Sequence, residues 1–212
     1  MIVETFPVGL LQCNCVIVGC PTTREAVVVD PGGDPDRVLE AVERHGLRVV
    51  KVVHTHAHFD HVGGTAEVRE RTGAETLLHP GDDALIDHYN VQPKLVGLDL
   101  QLGPGPTIDG ALEDGQTVRF GEAATLVLHT PGHTPGSVCF SLATPDGMLL
   151  LSGDTLFRLG VGRTDFPGGS ADQLQASIRD RLLPLDERTR VIPGHGPETT
   201  IGFERLNNPF LR

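Results

Sequence analysis

His54-Thr55-His56-Ala57-His58-Phe59-Asp60-His61 follows directly on the apolar run Val49-Val50-Lys51-Val52-Val53. The step from one to the other sets a ligand-rich turn at the end of a β-strand. In extended backbone, positions two apart point the same way, so His56 and His58 converge on one ion. Asp60 and His61 then enter a helix expected from about 61 to 71 and closed by Gly73, whose dipole disfavours an imidazolium at His61. A single tetrahedral zinc does not easily accept His56, His58, Asp60 and His61 from so short a loop, so the pattern suits a pair of ions.

Working outward, three further strands end in potential ligands: Thr130-Pro131-Gly132-His133-Thr134-Pro135-Gly136, Ser152-Gly153-Asp154-Thr155 and Pro193-Gly194-His195-Gly196-Pro197. Glycine lets the backbone turn sharply and approach an ion, and proline fixes the loop so that the ligand is preorganised. Strands are expected over 16–18, 26–30, 49–53, 75–78, 117–120, 125–128, 137–142, 148–151 and 188–192. Asp34-Pro35 reads as an N-cap and first-turn proline for a helix stopped by Gly46, and Ser170 with Gln173 caps a helix over 170–183 before Pro184. The stretch 91–110, rich in Gly and Pro, reads as a long loop of the kind that walls a site.

The chain has 212 residues, 39% of them apolar, with 26 glycines, which suits one globular domain over 1–212 and excludes collagen-like or disordered readings. Lys and Arg number 17 against 28 Asp and Glu, a formal charge of −11 that opposes binding to nucleic acid or anionic lipid. Ten histidines against no Trp and one Tyr point to metal or proton chemistry. Cys13, Cys15, Cys20 and Cys139 match neither a zinc knuckle nor a redox motif and read as buried, reduced thiols. With no basic, apolar leader at Met1-Ile-Val-Glu-Thr-Phe-Pro and no long apolar run, a cytoplasmic location without membrane contact is expected.

Taken in order, Asp30, His56-x-His58-x-Asp60-His61, His133, Asp154 and His195 resemble the motifs of the metallo-β-lactamase superfamily over essentially the whole chain. The resemblance implies an α+β fold, an αββα four-layer sandwich of two mixed sheets with helices outside and metals at one rim. It also implies that His56, His58 and His133 hold one metal, that Asp60, His61 and His195 hold the other, and that Asp154 bridges them. Within the superfamily the chain is similar to short, single-domain glyoxalase II-like hydrolases, on Gly153-Asp154-Thr155-Leu156-Phe157, Gly162-Arg163-Thr164-Asp165-Phe166-Pro167-Gly168-Gly169 and the tail around His195. Two-domain glyoxalase II enzymes add a helical domain with basic contacts to glutathione, and the stretch after His195 leaves no room for one.

Two divalent ions bring the pKa of a shared water toward about 7, so the expected nucleophile is a metal-bridging hydroxide that Asp60 orients, attacking a thioester such as S-D-lactoylglutathione. A thioester suits the site because a thiolate departs without a strong general acid. Zinc is the first expectation, with iron or manganese also accepted by His/Asp ligands. Arg163 is a candidate for a substrate carboxylate, with a loop ion pair to Asp165 an equal alternative. Persulfide dioxygenases resemble the same loop and the Gly162 to Phe166 segment, and imply instead a single iron on His56, His133 and Asp154. His54 reads as supporting or surface-exposed, Asn14 as a turn residue or a site hydrogen-bonder, and Tyr89 as packing. The oligomeric state is open.

Overall fold

A computed structural model describes residues 1–211. The first sheet holds β1 (Ile2–Val8), β2 (Cys13–Gly19), β3 (Glu25–Val29), β4 (Arg48–Val53), β5 (Glu75–Leu78) and β6 (Gly110–Ala111), hydrogen-bonded in that order. The pairings from β1 to β3 are antiparallel, and those from β3 to β6 are parallel. The second sheet runs through β7 (Thr117–Phe120), β8 (Ala123–His129), β9 (Val138–Thr144) and β10 (Gly147–Gly153), then parallel to β13 (Arg190–Pro193) and out to β14 (Thr199–Thr200). A short ribbon of β11 (Leu156–Phe157) and β12 (Gly160–Val161) lies between β10 and β13 in the chain.

Alternate residues of both sheets face each other: Val16, Val18, Val27, Val29 and Val53 meet Phe120, Val127, Phe140, Leu149, Leu151 and Ile192 in one buried cluster. The other face of the first sheet, with Ile17, Val28 and Val52, packs on Val38, Ala41 and Val42 of α1 (Pro35–Arg44) and Val68 of α3 (Thr65–Thr72). The outer face of the second sheet, with Cys139, Leu150 and Val191, takes Leu174 of α6 (Ala171–Ser177), Ile178, Leu182 and Ile201 of α7 (Ile201–Asn207). Helix, sheet, sheet and helix make the αββα sandwich in which each layer buries one apolar face. No helix among the described residues is long and apolar enough to cross a membrane.

Several local expectations are corrected. The helix expected over 61–71 is two helices, α2 (Phe59–Val62) and α3. The backbone breaks at Gly63-Gly64, where it docks on the loop after β3 and Gly64 N donates to Pro31 O at 2.7 Å. Asp34 does not cap α1: it sits at φ +47, and its carboxylate accepts from Gly9 N at 2.9 Å. Ser170 does cap α6, but past Ser177 the chain widens into a π-turn over Ile178–Leu182. Within 91–110 lies α5 (Gln92–Leu95), preceded by α4 (Asp83–Asp87). Tyr89, Leu98 and Leu102 there pack on Phe59 and Val62, beside the ligand-rich turn.

Candidate metal centre

The ends of β4, β8, β10 and β13 meet at one rim, which brings together His56, His58, Asp60, His61, His133, Asp154 and His195. Two groups form. His58 Nδ1 lies 3.1 Å from His56 Nε2 and 3.0 Å from His133 Nε2. On the other side, His195 Nε2 lies 3.2 Å from His61 Nε2 and 3.2 Å from Asp60 Oδ2. Asp154 stands between them, Oδ1 3.4 Å from His61 Nε2 and Oδ2 3.6 Å from His133 Nε2.

Hydrogen bonds behind the rings decide which nitrogens are bare. His133 Nδ1 donates to Arg163 O at 2.7 Å and His195 Nδ1 to Leu11 O at 3.1 Å. His61 Nδ1 donates to Asp30 Oδ2 at 2.9 Å. The Thr55 hydroxyl gives its proton to Asp30 Oδ2 at 2.6 Å and so accepts from His56 Nδ1 at 3.1 Å. Each of these rings therefore turns its Nε2 into the cluster. His56 Nε2 and His133 Nε2 stand about 3 Å from His58 Nδ1, and a cation among them satisfies their lone pairs. Asp154 Oδ1 is buried with no hydrogen-bond partner, an acceptor that a cation would satisfy. The donor set thus fits two divalent ions.

Burial pushes His58 down to about 3 and His56 well below the ordinary imidazole value, keeping both rings neutral and open to a metal. His61 departs from the expectation of a neutral ring. Burial works against its charge, but Cys13, Asp154, Asp60 and Asp30 together outweigh burial and hold its pKa well above the ordinary value. The four-residue α2 offers too small a dipole to oppose three carboxylates. A proton and a metal therefore compete for His61 Nε2. The neighbouring Cys13 thiol, 3.4 Å from His61 Nδ1, is pushed up to about 12 by burial and stays a thiol.

Supporting residues sort the remaining expectations. His54 is buried, not at the surface, with Nδ1 3.8 Å from Asp30 Oδ1. Asn14 is a site hydrogen-bonder: its amide donates to Pro193 O and Gly196 O, both at 2.9 Å, and clamps the loop that carries His195. Truncation by Asn14→Ala frees that loop and is expected to cut turnover about 10- to 100-fold, as losses of outer ligand supports do. Steady-state kinetics with metal content measured alongside checks it. Arg163 forms the two-bond ion pair with Asp165, at 2.9 and 2.8 Å, and stacks on Phe166.

Two supports went unread in the sequence. Buried Asp82 accepts from Ala57 N, Thr134 Oγ1 and Gly136 N at 3.0, 2.8 and 2.6 Å, tying the His56 loop to the His133 loop. Gln92 accepts from Phe59 N at 2.7 Å and donates to Ala57 O at 3.0 Å. Asp82 sits in His79-Pro80-Gly81-Asp82-Asp83, which looks like an ordinary turn, and its one signal is an acid among rigid turn residues.

The family model for the metallo-beta-lactamase superfamily matches residues 8–195. The chain belongs to the metallo-beta-lactamase superfamily. Among superfamily members, it is 36% identical to the hydroxyacylglutathione hydrolase GloC of Haemophilus influenzae, over 100% of this chain and 98% of that one. A crystal structure of BLEG-1, a B3 metallo-beta-lactamase, superposes with a TM-score of 0.89 at 37% identity, covering 99% of both chains. TTHA1623, crystallised in a di-iron-bound form, superposes with a TM-score of 0.86 at 40% identity, over 98% of this chain and 100% of that one.

Proposed function

We propose that the protein is a dinuclear metal-dependent hydrolase of thioesters, with S-D-lactoylglutathione the first substrate to test. The observation that carries the reading is the pair of ligand groups joined by Asp154, whose buried Oδ1 has no partner in the protein. Full-length similarity to GloC and to a protein that binds two irons supports it. His56, His58 and His133 would hold one ion, and Asp60, His61 and His195 the other, with Asp154 shared. Bound there, the ions supply a water acidified toward neutral pH and a Lewis acid for the carbonyl oxygen.

The chain's own groups do the rest. Asp60, the first-turn residue of α2 with Oδ2 on the His195 side, accepts the proton of the attacking water and orients it. The acceptors behind the rings, Asp30, Thr55, Arg163 O and Leu11 O, hold the imidazoles in the tautomer that binds metal. Among the described residues that line the cavity, the titratable side chains nearest the centre are the candidate metal ligands themselves, which favours a thiolate leaving group over an amine that needs a separate proton donor.

Protein purified without added metal or chelator should carry close to two ions per chain by mass spectrometry. Stripping them with chelator should remove turnover of S-D-lactoylglutathione, and restoring zinc, manganese or iron should return it. One iron per chain, unchanged by His61→Ala and accompanied by oxygen consumption with glutathione persulfide, would replace this reading with a mononuclear dioxygenase.

A further inference from the structure

A cavity of about 340 Å³ opens directly on His58, Asp60, His133, Asp154 and His195. Its walls are apolar: Leu11 from the β1–β2 turn, Leu95 and Val96 from α5 and its end, and Phe157, Phe166 and Pro167 from the far side. Among the exposed large apolar side chains of the described residues, Leu11, Leu95 and Val96 line this cavity, and Leu10 and Leu100 line an adjoining one that shares Leu11 and Phe59. Exposed apolar surface concentrated beside a reactive centre marks a place where a ligand covers it. Arg163 is the one Lys or Arg among the lining residues, and both its bonds to Asp165 are already made. These apolar walls give a hydroxylated acyl group such as lactoyl no polar partner, and an apolar chain a fitting surface.

We propose that this groove seats an aliphatic acyl chain, making the preferred substrates thioesters of apolar acids rather than the lactoyl conjugate of a charged tripeptide; this rests on the hydrolase reading above. The acyl chain takes the groove because the thiol side develops negative charge as it leaves, and charge belongs toward open water at the mouth, not among Leu95, Val96 and Phe166. The reaction is hydrolysis: water adds to the carbonyl carbon, the carbon–sulfur bond breaks, and a carboxylic acid and a thiol leave. Each methylene moved from water into such walls raises kcat/KM about fourfold until the groove is filled.

The test uses the full, metal-loaded chain and N-acetylcysteamine thioesters of acetate, hexanoate and octanoate, with S-D-lactoylglutathione alongside. Expected is a rise in kcat/KM from acetyl to octanoyl of at least about 10-fold, the worth of two buried methylenes, reaching about 10³-fold where the groove takes most of the six, with the lactoyl conjugate below the octanoyl ester. Leu95→Ser, at a position 54% exposed and so safe for folding, should lower the octanoyl-to-acetyl ratio about fivefold or more. Calorimetry gives a readout independent of turnover: octanoate should bind tighter than acetate and with a more negative heat-capacity change. A flat series with active enzyme overturns the groove assignment and leaves the hydrolase standing. If no thioester turns over, the hydrolase reading falls, and octanoate binding no tighter than acetate overturns the groove as well. A dimer that Leu95→Ser dissolves, with no chain-length dependence, assigns the patch to a second copy and also overturns it.

Discussion

Asparagine in place of Asp154 is expected to cut thioester turnover about 10³-fold or more and to leave fewer than two ions per chain. Asp154 is the one carboxylate within reach of both ligand groups, 3.4 Å from His61 Nε2 on one side and 3.6 Å from His133 Nε2 on the other. Burial raises its pKa, but His61, His133 and His195 more than offset this and hold it well below the ordinary carboxylate value, so it is charged at any pH where the protein works. An amide of the same shape keeps the packing and removes the charge. It also offers an NH2 where a cation needs an acceptor. Metal analysis and kinetics on the same preparation check the prediction, with thermal unfolding of the metal-free chain to show that the variant folds. Retention of two ions with turnover within tenfold of the parent would remove Asp154 from its bridging place, and the dinuclear reading with it.

The clustering of these candidate ligands was legible because side chains at strand ends are spaced by the backbone itself. His56 and His58 share a side of extended chain, and the Gly- and Pro-bounded His133, Asp154 and His195 each close a hydrophobic run that had to be a strand. The four layers were legible only through resemblance to a family, since alternating apolar residues fix which face of a strand is buried but not which strand lies beside which. What stayed hidden was set by contacts distant in sequence. β1 escaped notice because Pro7 argues against a strand, yet β1 is the sheet's edge, where a missing N–H is tolerated. Asp34 has an N-cap's sequence context, but Gly9 on the neighbouring turn claims its carboxylate. The 61–71 helix broke because Gly63-Gly64 touches the Pro31 loop. Gln92 could not be read as a support for the metal loop, since nothing near it in the chain says that Phe59 N will be its partner.

Alanine at Gly194 is expected to damage the site nearly as much as loss of a ligand, although the residue offers no side chain. A Cβ there would stand 2.1 Å from Asp154 Oδ1, 2.8 Å from His61 Cε1 and 3.1 Å from the Gly153 carbonyl carbon. His61 and the Gly153 backbone cannot withdraw. His61 is fully buried and anchored on Asp30, while Gly194 itself is pinned by its N–H to Gly153 O at 2.8 Å and by Asn14 N to its carbonyl at 2.7 Å. The strain must therefore move the His195 loop or swing the Asp154 carboxylate out of the gap between the two ligand groups. A displacement near 1 Å in such a constellation costs about 100-fold in rate, and forcing a methyl into packed surroundings costs about 1–3 kcal/mol of stability. Gly196, two residues on, separates this steric effect from ordinary backbone strain. It sits at φ +76 with nothing within 4 Å of an added Cβ, so Gly196→Ala should cost about 1 kcal/mol through conformation alone and lose less metal than Gly194→Ala. Denaturant unfolding, metal content and kcat on the two variants make the comparison. Equal losses at both positions would show that the loop's conformation, and not the close approach of backbone to Asp154, is what the glycine at 194 protects.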